Sequence, residues 1–224
     1  MKNISKAYPG VKALKNVDFN LEAGEIHCLL GENGAGKSTL IKILAGAEDC
    51  DTGEIEIQGS TLDINSPILA KKMGICTVYQ EFTLIPQLTV AENIYLGIDL
   101  KKNGLVDWNQ MFINAEAVLE TLGFHIDARN NVCNLSVHEQ QVVEIAKALA
   151  LDAKILILDE PTAALTNIET KRLFELLAKL RSKDVGIIYI SHNLEDVKLI
   201  GDRATILKDG QKDIEQGILE KEKK

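Results

Sequence analysis

Two kinds of apolar spacing alternate along this chain. Short unbroken runs, such as Ile26, Cys28, Leu29 and Leu30, Ile155–Leu158 and Ile187–Ile190, read as strands covered on both faces. Between them lie helical spacings: Leu40, Ile41, Ile43 and Leu44, closed by Gly46, and Leu173, Phe174, Leu176, Leu177 and Leu180. Such alternation predicts an α/β fold around a mainly parallel sheet. Short strands at Val17–Leu21 and Glu25–Leu30, with the alternating run Glu54–Gly59, suggest an antiparallel sheet beside this core. A further core strand runs from Gly74 to Gln80. From Thr89 to Ala150 the pattern is helical without a convincing strand, so residues 89–150 read as an insertion into a core made of 1–88 and 151–224. Asp209-Gly210, between ATILK and QKDIE, suits a tight hairpin turn, and the terminal EKEKK is expected to fray.

Length changes this picture little: 224 residues bury one substantial core, as a single domain or a core with an inserted subdomain. With 25 basic and 33 acidic residues the net charge is 25 − 33 = −8, so no nucleic-acid partner is expected. Lys71-Lys72 and Lys101-Lys102 are only small basic segments, expected on a solvated surface. Cys28, Cys50, Cys76 and Cys133 lie far apart, with no CxxC pair, which suits reduced thiols rather than zinc or a disulfide framework. No apolar stretch approaches the roughly 18 residues of a membrane span, and the N-terminus shows no signal-peptide apolar region. Any role at a membrane therefore requires a partner.

The chemistry begins at Gly31–Thr39, GENGAGKST, which fits GxxxxGK[ST]. Gly31, Gly34 and Gly36, with Asn33 and Ala35 between them, form a loop whose backbone N–H groups can turn toward phosphate oxygens. Lys37 adds a point charge, Ser38 offers a hydroxyl to Mg²⁺, and Thr39 leads into a helix whose positive end faces the same anion. Strand, glycine loop and helix in that order are what phosphate binding needs.

Three later segments supply what hydrolysis of a nucleotide still requires. ILILDEP delivers adjacent carboxylates at a strand's C-terminal end: Asp159 to hold Mg²⁺ and Glu160 to polarise the attacking water. Gln80 ends its strand where its amide can reach Mg²⁺ or that water. His192 follows another apolar strand and is placed to donate to a terminal phosphate. Ser136 and Glu139 have capping-box spacing at the start of a helix carrying Val142, Val143, Ile145, Ala146 and Leu149. That helix end could bind a phosphate held by another subunit.

Taken together these motifs resemble the ABC-type ATPases over essentially the whole chain. The resemblance implies a P-loop NTPase (RecA-like) core, an N-terminal antiparallel β subdomain and an inserted α-helical subdomain. It makes Gly31–Thr39 the Walker A loop, Gln80 the Q-loop residue, Leu135–Glu139 the signature, Ile155–Glu160 Walker B, Ala163–Thr166 the D-loop and His192 the switch histidine. By the same resemblance Tyr8, in KAYPG, stacks on adenine. More narrowly, PGVKAL, QEFTLIPQLTVAENIYLG, LSVHEQQVVEIAKAL and DEPTAALT are similar to the first cassette of bacterial importers of ribose and galactose type. Those ATPases usually carry two cassettes; this chain has one, as a fragment or as a half-size subunit that dimerises.

The resemblance implies ATP and Mg²⁺ as ligands and a second cassette, fused or identical, covering the nucleotide. It implies permease subunits at the cytoplasmic face of the membrane and, through them, a periplasmic or extracellular sugar-binding protein. A soluble non-transport ABC ATPase, or a regulatory cassette with weak hydrolysis, is the alternative. Where the signature LSGGQ has glycines this chain has Val137 and His138, and Glu139 takes the glutamine position. A side chain at His138 is expected either to obstruct the partner's γ-phosphate or, as a protonated imidazole, to attract it. Thr166 stands where other D-loops carry aspartate.

Overall fold

The computed structural model describes residues 1–98, 100–102 and 105–217. The expected fraying of residues 220–224 and the setting of the Lys101-Lys102 side chains lie outside what is described. In chain order the elements are β1 (Lys2–Tyr8), β2 (Val11–Val17), β3 (Ile26–Leu30), α1 (Lys37–Leu44), β4 (Thr52–Ile57), β5 (Ser60–Leu62), α2 (Pro67–Lys72) and β6 (Ile75–Val78). Then come α3 (Val90–Ile94), β7 (Lys101–Lys102), β8 (Leu105–Val106), α4 (Trp108–Leu122), a 3₁₀ turn at Val132–Asn134 and α5 (Val137–Ala150). The chain continues with β9 (Ile155–Asp159), α6 (Asn167–Arg181), β10 (Gly186–Ile190), α7 (Leu194–Ile200), β11 (Arg203–Lys208) and β12 (Gln211–Gly217).

The main sheet has the order β12-β11-β3-β10-β9-β6, parallel except at the β11–β12 hairpin. Its strands are continuous apolar runs because both faces are covered. Cys28, Leu156, Leu158, Ile187 and Tyr189 face α6 and the helices between residues 90 and 150. Leu29, Ile157, Ile188 and Ile190 face α1 and the antiparallel sheet β2-β1-β4-β5. Successive residues thus enter different cores, as the two-residue period of a strand requires. Each buried Leu or Ile contributes about 1.5–3 kcal/mol.

Four sequence expectations need correction. The strand expected at Val17–Leu21 ends at Val17; beyond it Phe19 pairs with the Met1 backbone and stacks on the His27 ring, centroids 4.4 Å apart. The antiparallel sheet is instead opened by β1 and β2, joined by a turn with Gly10 at φ 82°. Ile26–Leu30, expected in that sheet, lies in the parallel one, since all five residues are buried. β6 stops at Val78, two residues before Gln80, and the helical segment contains one short antiparallel pair, β7-β8.

Register decides what the sheet presents. Ile190 is level with Leu29 and with Asp159, and Val78 with Leu158. The chain therefore leaves β3, β6, β9 and β10 at one common edge, carrying Gly31, Gln80, Glu160 and His192 away from it together.

His27, unnoticed in sequence, locks the loop before β3 to β11. Its Nδ1–H donates to the Asn20 carbonyl at 2.7 Å, leaving Nε2 to accept from the Thr205 hydroxyl at 2.8 Å. Burial, with the Arg203 charge nearby, holds its pKa below the ordinary value. All four cysteines are free, and burial pushes the Cys28 and Cys76 thiols up to about 12 and about 11.

Candidate active site

The loop between β3 and α1 is shaped by glycines the structure cannot replace. A Cβ at Gly31 (φ 145°) would sit 2.3 Å from the Leu207 carbonyl oxygen, and one at Gly36 (φ 105°) 2.6 Å from that of Ala13. Gly36 occupies the N-cap of α1 without a side-chain cap, so the first N–H groups of the helix have no side-chain acceptor there. Asn33, Gly34 and Ser38 are exposed and Thr39 is half-buried. Ala35 is buried, with its N–H donated to the Glu32 carbonyl at 3.1 Å, so it serves packing. The Lys37 ammonium bridges the carbonyls of Gly31 at 2.6 Å and Glu32 at 3.1 Å.

Asp159 and Glu160 stand at the C-terminal end of β9. Burial, reinforced by the charge of Glu160 and opposed by that of Lys37, raises the Asp159 carboxyl above its ordinary pKa. The two carboxylates and the lysine thus share one field. Glu160 takes the left-handed conformation, φ 48°, where its N–H donates to the Ile190 carbonyl at 3.0 Å. This turn sends its carboxylate to His192, whose Nδ1 lies 2.9 Å away. A carboxylate only accepts, so Nδ1 carries a proton and Nε2 is left for a further partner. Gln80 is exposed at the same edge, and among the described residues it has no hydrogen-bond partner there.

A hard divalent cation fits this edge. Ser38, Gln80 and Asp159 offer hydroxyl, amide and carboxylate oxygens, and the Asp159 carboxyl, raised chiefly by burial and further by the charge of Glu160, is one that a bound cation would hold ionised. Among the described residues no three His, Cys, Asp or Glu side chains form a metal cage. Magnesium does not require one, since it keeps phosphate and water oxygens as ligands. A larger cavity of about 830 Å³ opens at the opposite edge, among Phe19, Leu21, Leu149, Ile155 and Gly186. It contains none of these groups, and open parallel sheets bind ligands at the C-terminal ends of their strands.

Tyr8 ends β1 half-exposed, its hydroxyl bonded to the Glu48 carboxylate. That bond raises its pKa, burial adds to this, and the Thr39 hydroxyl opposes it, which places the ring beside α1. Ser136 is the N-cap of α5: its hydroxyl accepts from the Glu139 N–H at 3.3 Å, and the Glu139 carboxylate accepts from the Ser136 N–H at 2.8 Å. Among the described residues no hydrogen bond joins Ser136 to residues 31–39.

The expectation for His138 is corrected on both counts. Its side chain is 4% exposed and packs edge-on against Phe124 at 5.3 Å, with neither ring nitrogen bonded. Burial lowers its pKa. It is neither an obstacle at the helix tip nor a surface imidazolium; Val137, 42% exposed, is what the tip presents. Thr166 is the N-cap of α6, closing a capping box with Glu169, which is what a threonine does there. Sequence reasoning missed Thr162, Tyr189 and Asp196, which form a buried cluster behind Glu160 and His192. Asp196 has no motif around it; only its place on the inner face of α7 distinguishes it.

Comparison with known proteins agrees with the fold. The family model described as ABC transporter matches residues 14–163. The chain is 53% identical over 211 residues to a ribose import ATP-binding protein of Rubrobacter xylanophilus, covering 94% of this chain and 42% of that protein. A ribose import ATP-binding protein of Chromobacterium violaceum is 50% identical, with 94% and 42% covered. The chain thus spans less than half the length of these curated relatives. Among solved structures, a bacterial ABC transporter cassette seen as a dimer superposes with a TM-score of 0.82 at 30% identity, covering 98% of each chain. A post-hydrolysis dimeric cassette bound to ADP and Pi superposes at 0.81, also at 30% identity, with 98% of each chain covered.

Proposed function

This chain belongs to the ABC transporter family, and we propose that it binds and hydrolyses ATP to power monosaccharide import, as an ATPase cassette that pairs with a second one. The meeting at one sheet edge of the Lys37–Asp159 field and the Glu160–His192 pair supports the reading most directly. The ribose import relatives support the sugar class.

In this reading Gly31, Asn33, Gly34, Gly36, Lys37 and the N-terminus of α1 receive the phosphates, while the Tyr8 ring, beside Thr39, receives the adenine. Ser38, Gln80 and Asp159 would hold magnesium, which would neutralise phosphate charge and polarise the group being transferred. Glu160 accepts a proton from water as the water oxygen bonds to the γ-phosphorus. The bond from that phosphorus to the β–γ bridging oxygen breaks, releasing ADP and phosphate. His192 fixes the Glu160 carboxylate through Nδ1; as the imidazolium it also donates from Nε2 to the γ-phosphate.

The N-terminus of α5, with Ser136 and exposed Val137, covers the nucleotide of the second cassette, fused or identical. ATP binds the closed pair more tightly than the open one, and hydrolysis releases it. No helix among the described residues is long and apolar enough to cross a membrane. In this reading coupling passes through permease subunits at the cytoplasmic face, and through them to a periplasmic or extracellular sugar-binding protein. A groove of about 240 Å³ lined by Tyr79, Thr83, Glu144 and Lys147, next to Gln80 and Glu81, is where a permease segment would seat.

A single cassette lacks the effective concentration that tethering to a companion provides. Its ATPase rate per molecule should accordingly rise with protein concentration. Rapid hydrolysis that is independent of concentration would overturn the paired mechanism.

A further inference from the structure

Behind the Glu160–His192 pair, one buried carboxylate ties together the two loops that carry it. Asp196, on the first turn of α7, is 6% exposed. Its Oδ2 accepts from the Thr162 hydroxyl at 2.7 Å and from the Tyr189 hydroxyl at 3.2 Å. Its Oδ1 accepts from the Asn193 side-chain amide at 3.2 Å. Thr162 lies two residues beyond Glu160, and Asn193 directly follows His192. Tyr189 lies on β10, wholly buried, with Phe174 of α6 edge-on at 6.4 Å.

The Thr162 and Tyr189 hydroxyls also lie 3.4 Å from each other, and Asn193 is anchored separately. Asn193 is the N-cap of α7: its Oδ1 accepts from the Glu195 N–H at 2.9 Å, and its own N–H donates to the Ser191 hydroxyl at 3.0 Å. Glu160 is held on the other side by its N–H bond to Ile190 and by the Ala163 N–H, which donates to its carbonyl at 3.2 Å. No cation lies within ion-pair distance of Asp196 among the described residues, so the three polar donors satisfy the carboxylate. A buried carboxylate filled by donors from three segments has only one low-energy arrangement of those segments.

Resting on the ATPase reading above, we propose that Asp196 is a positioning residue for hydrolysis, which sets the Glu160 carboxylate against His192 by joining the loop after β9 to the loop after β10. In this proposal Asp196, 6% exposed, contacts neither the nucleotide nor the attacking water. It acts through Thr162 on one loop and Asn193 on the other, so its loss misplaces the base without removing the phosphate-binding loop. An asparagine at this position keeps the volume but removes the charge and sets an NH₂ against groups that now donate, so the Thr162 and Tyr189 hydroxyls must turn round to accept or a bond is lost.

The experiment compares Asp196→Asn, Thr162→Val and Thr162→Ser with the parent chain, alone and in the Glu160→Gln background. In single-turnover hydrolysis Asp196→Asn should slow the chemical step about tenfold or more while nucleotide affinity changes less than twofold. Thr162→Val should slow it too, and Thr162→Ser, which keeps the hydroxyl, should restore it. Combined with Glu160→Gln, Asp196→Asn should slow the residual rate no further, because it acts through that carboxylate. Ring resonances of His192, followed by NMR, should move in Asp196→Asn and Thr162→Val and return in Thr162→Ser.

Parent-like rates and His192 resonances in Asp196→Asn and Thr162→Val would overturn the proposal. So would an equal loss of rate with and without Glu160. The resonances decide the matter even if Asp196→Asn fails to fold, because the Thr162 pair tests the same bond. They also separate the two readings: a parent chain that hydrolyses no nucleotide removes the ATPase function, while the His192 shift still reports whether the loops are joined.

Discussion

Glu160 and His192 stand 32 positions apart in the chain, yet Nδ1 of the histidine lies 2.9 Å from the glutamate carboxylate. The contact depends on Glu160 taking a left-handed backbone conformation, φ 48°, rare for a residue with a side chain. The first residue past β9 thus bends its carboxylate toward β10 instead of following Asp159. Strain of this kind is kept where neighbouring structure enforces it, here by the Ile190 carbonyl.

Glu160→Gln should therefore keep nucleotide and lose turnover. The amide cannot take a proton from water, and a loss of about 10²–10⁴-fold in phosphate release is expected for a general base. Equilibrium binding of ATP measured alongside should be close to the parent. Unchanged phosphate release would remove Glu160 from the mechanism.

Asp159→Asn should separate stability from metal dependence. The folded-state pKa of Asp159 is raised, so its ionised form opposes folding: the penalty is absent below the ordinary carboxylate value and grows as pH rises through the folded one. At neutral pH without divalent cations the variant should melt a few degrees higher than the parent, on the order of 1 kcal/mol for one relieved charge. Titration calorimetry should at the same time show the magnesium-dependent part of ATP binding gone. A lower melting temperature would contradict the assignment.

The two buried histidines predict an acid slope. His27 and His138 both have folded-state pKa values below the ordinary 6.5, chiefly through burial. The unfolded chain therefore takes up their protons first, so stability is fully present above that value and falls as pH drops through it. Thermal melts at pH 7.5 and pH 5.5 should show the fall, and His138→Leu should reduce it, since its ring makes no hydrogen bond to lose. An identical slope in the variant would mean that His138 is protonated without cost in the folded protein.

Gly36→Ala tests the loop itself. Its Cβ would lie 2.6 Å from the Ala13 carbonyl at a φ that side chains avoid, so a loss of about 3 kcal/mol or more is expected. Gly34→Ala, at φ 84° but with open space around the added carbon, should cost about 1 kcal/mol. Chemical denaturation of the two variants measures the difference, and equal losses would show that backbone strain alone, not the contact with β2, sets the requirement.

Much of the molecule was legible residue by residue. The apolar runs of β9 and β10, the Gly31–Thr39 loop and the capping boxes of Ser136 and Thr166 are local patterns, each decided by residues within a few positions of one another. Failures came where a neighbour decides. Val17–Leu21 has strand composition, but Phe19 is claimed by the ring of His27. His138 has the spacing of a helix tip, and nothing nearby in sequence reveals that its ring packs against Phe124.

By itself, then, the amino-acid order determined the apolar core strands, the glycine loop and the capped helices, and which side chains are chemically able to grip phosphate or move a proton. Those properties follow from backbone preferences and functional groups that each residue carries wherever it is placed. Only the tertiary structure decided that β3 lies between β10 and β11, that Lys37 and Asp159 share a field, and that Asp196 joins the loops bearing Glu160 and His192. Those outcomes depend on packing between segments far apart in the chain, where burial selects one arrangement and leaves no trace in the spacing of residues along it.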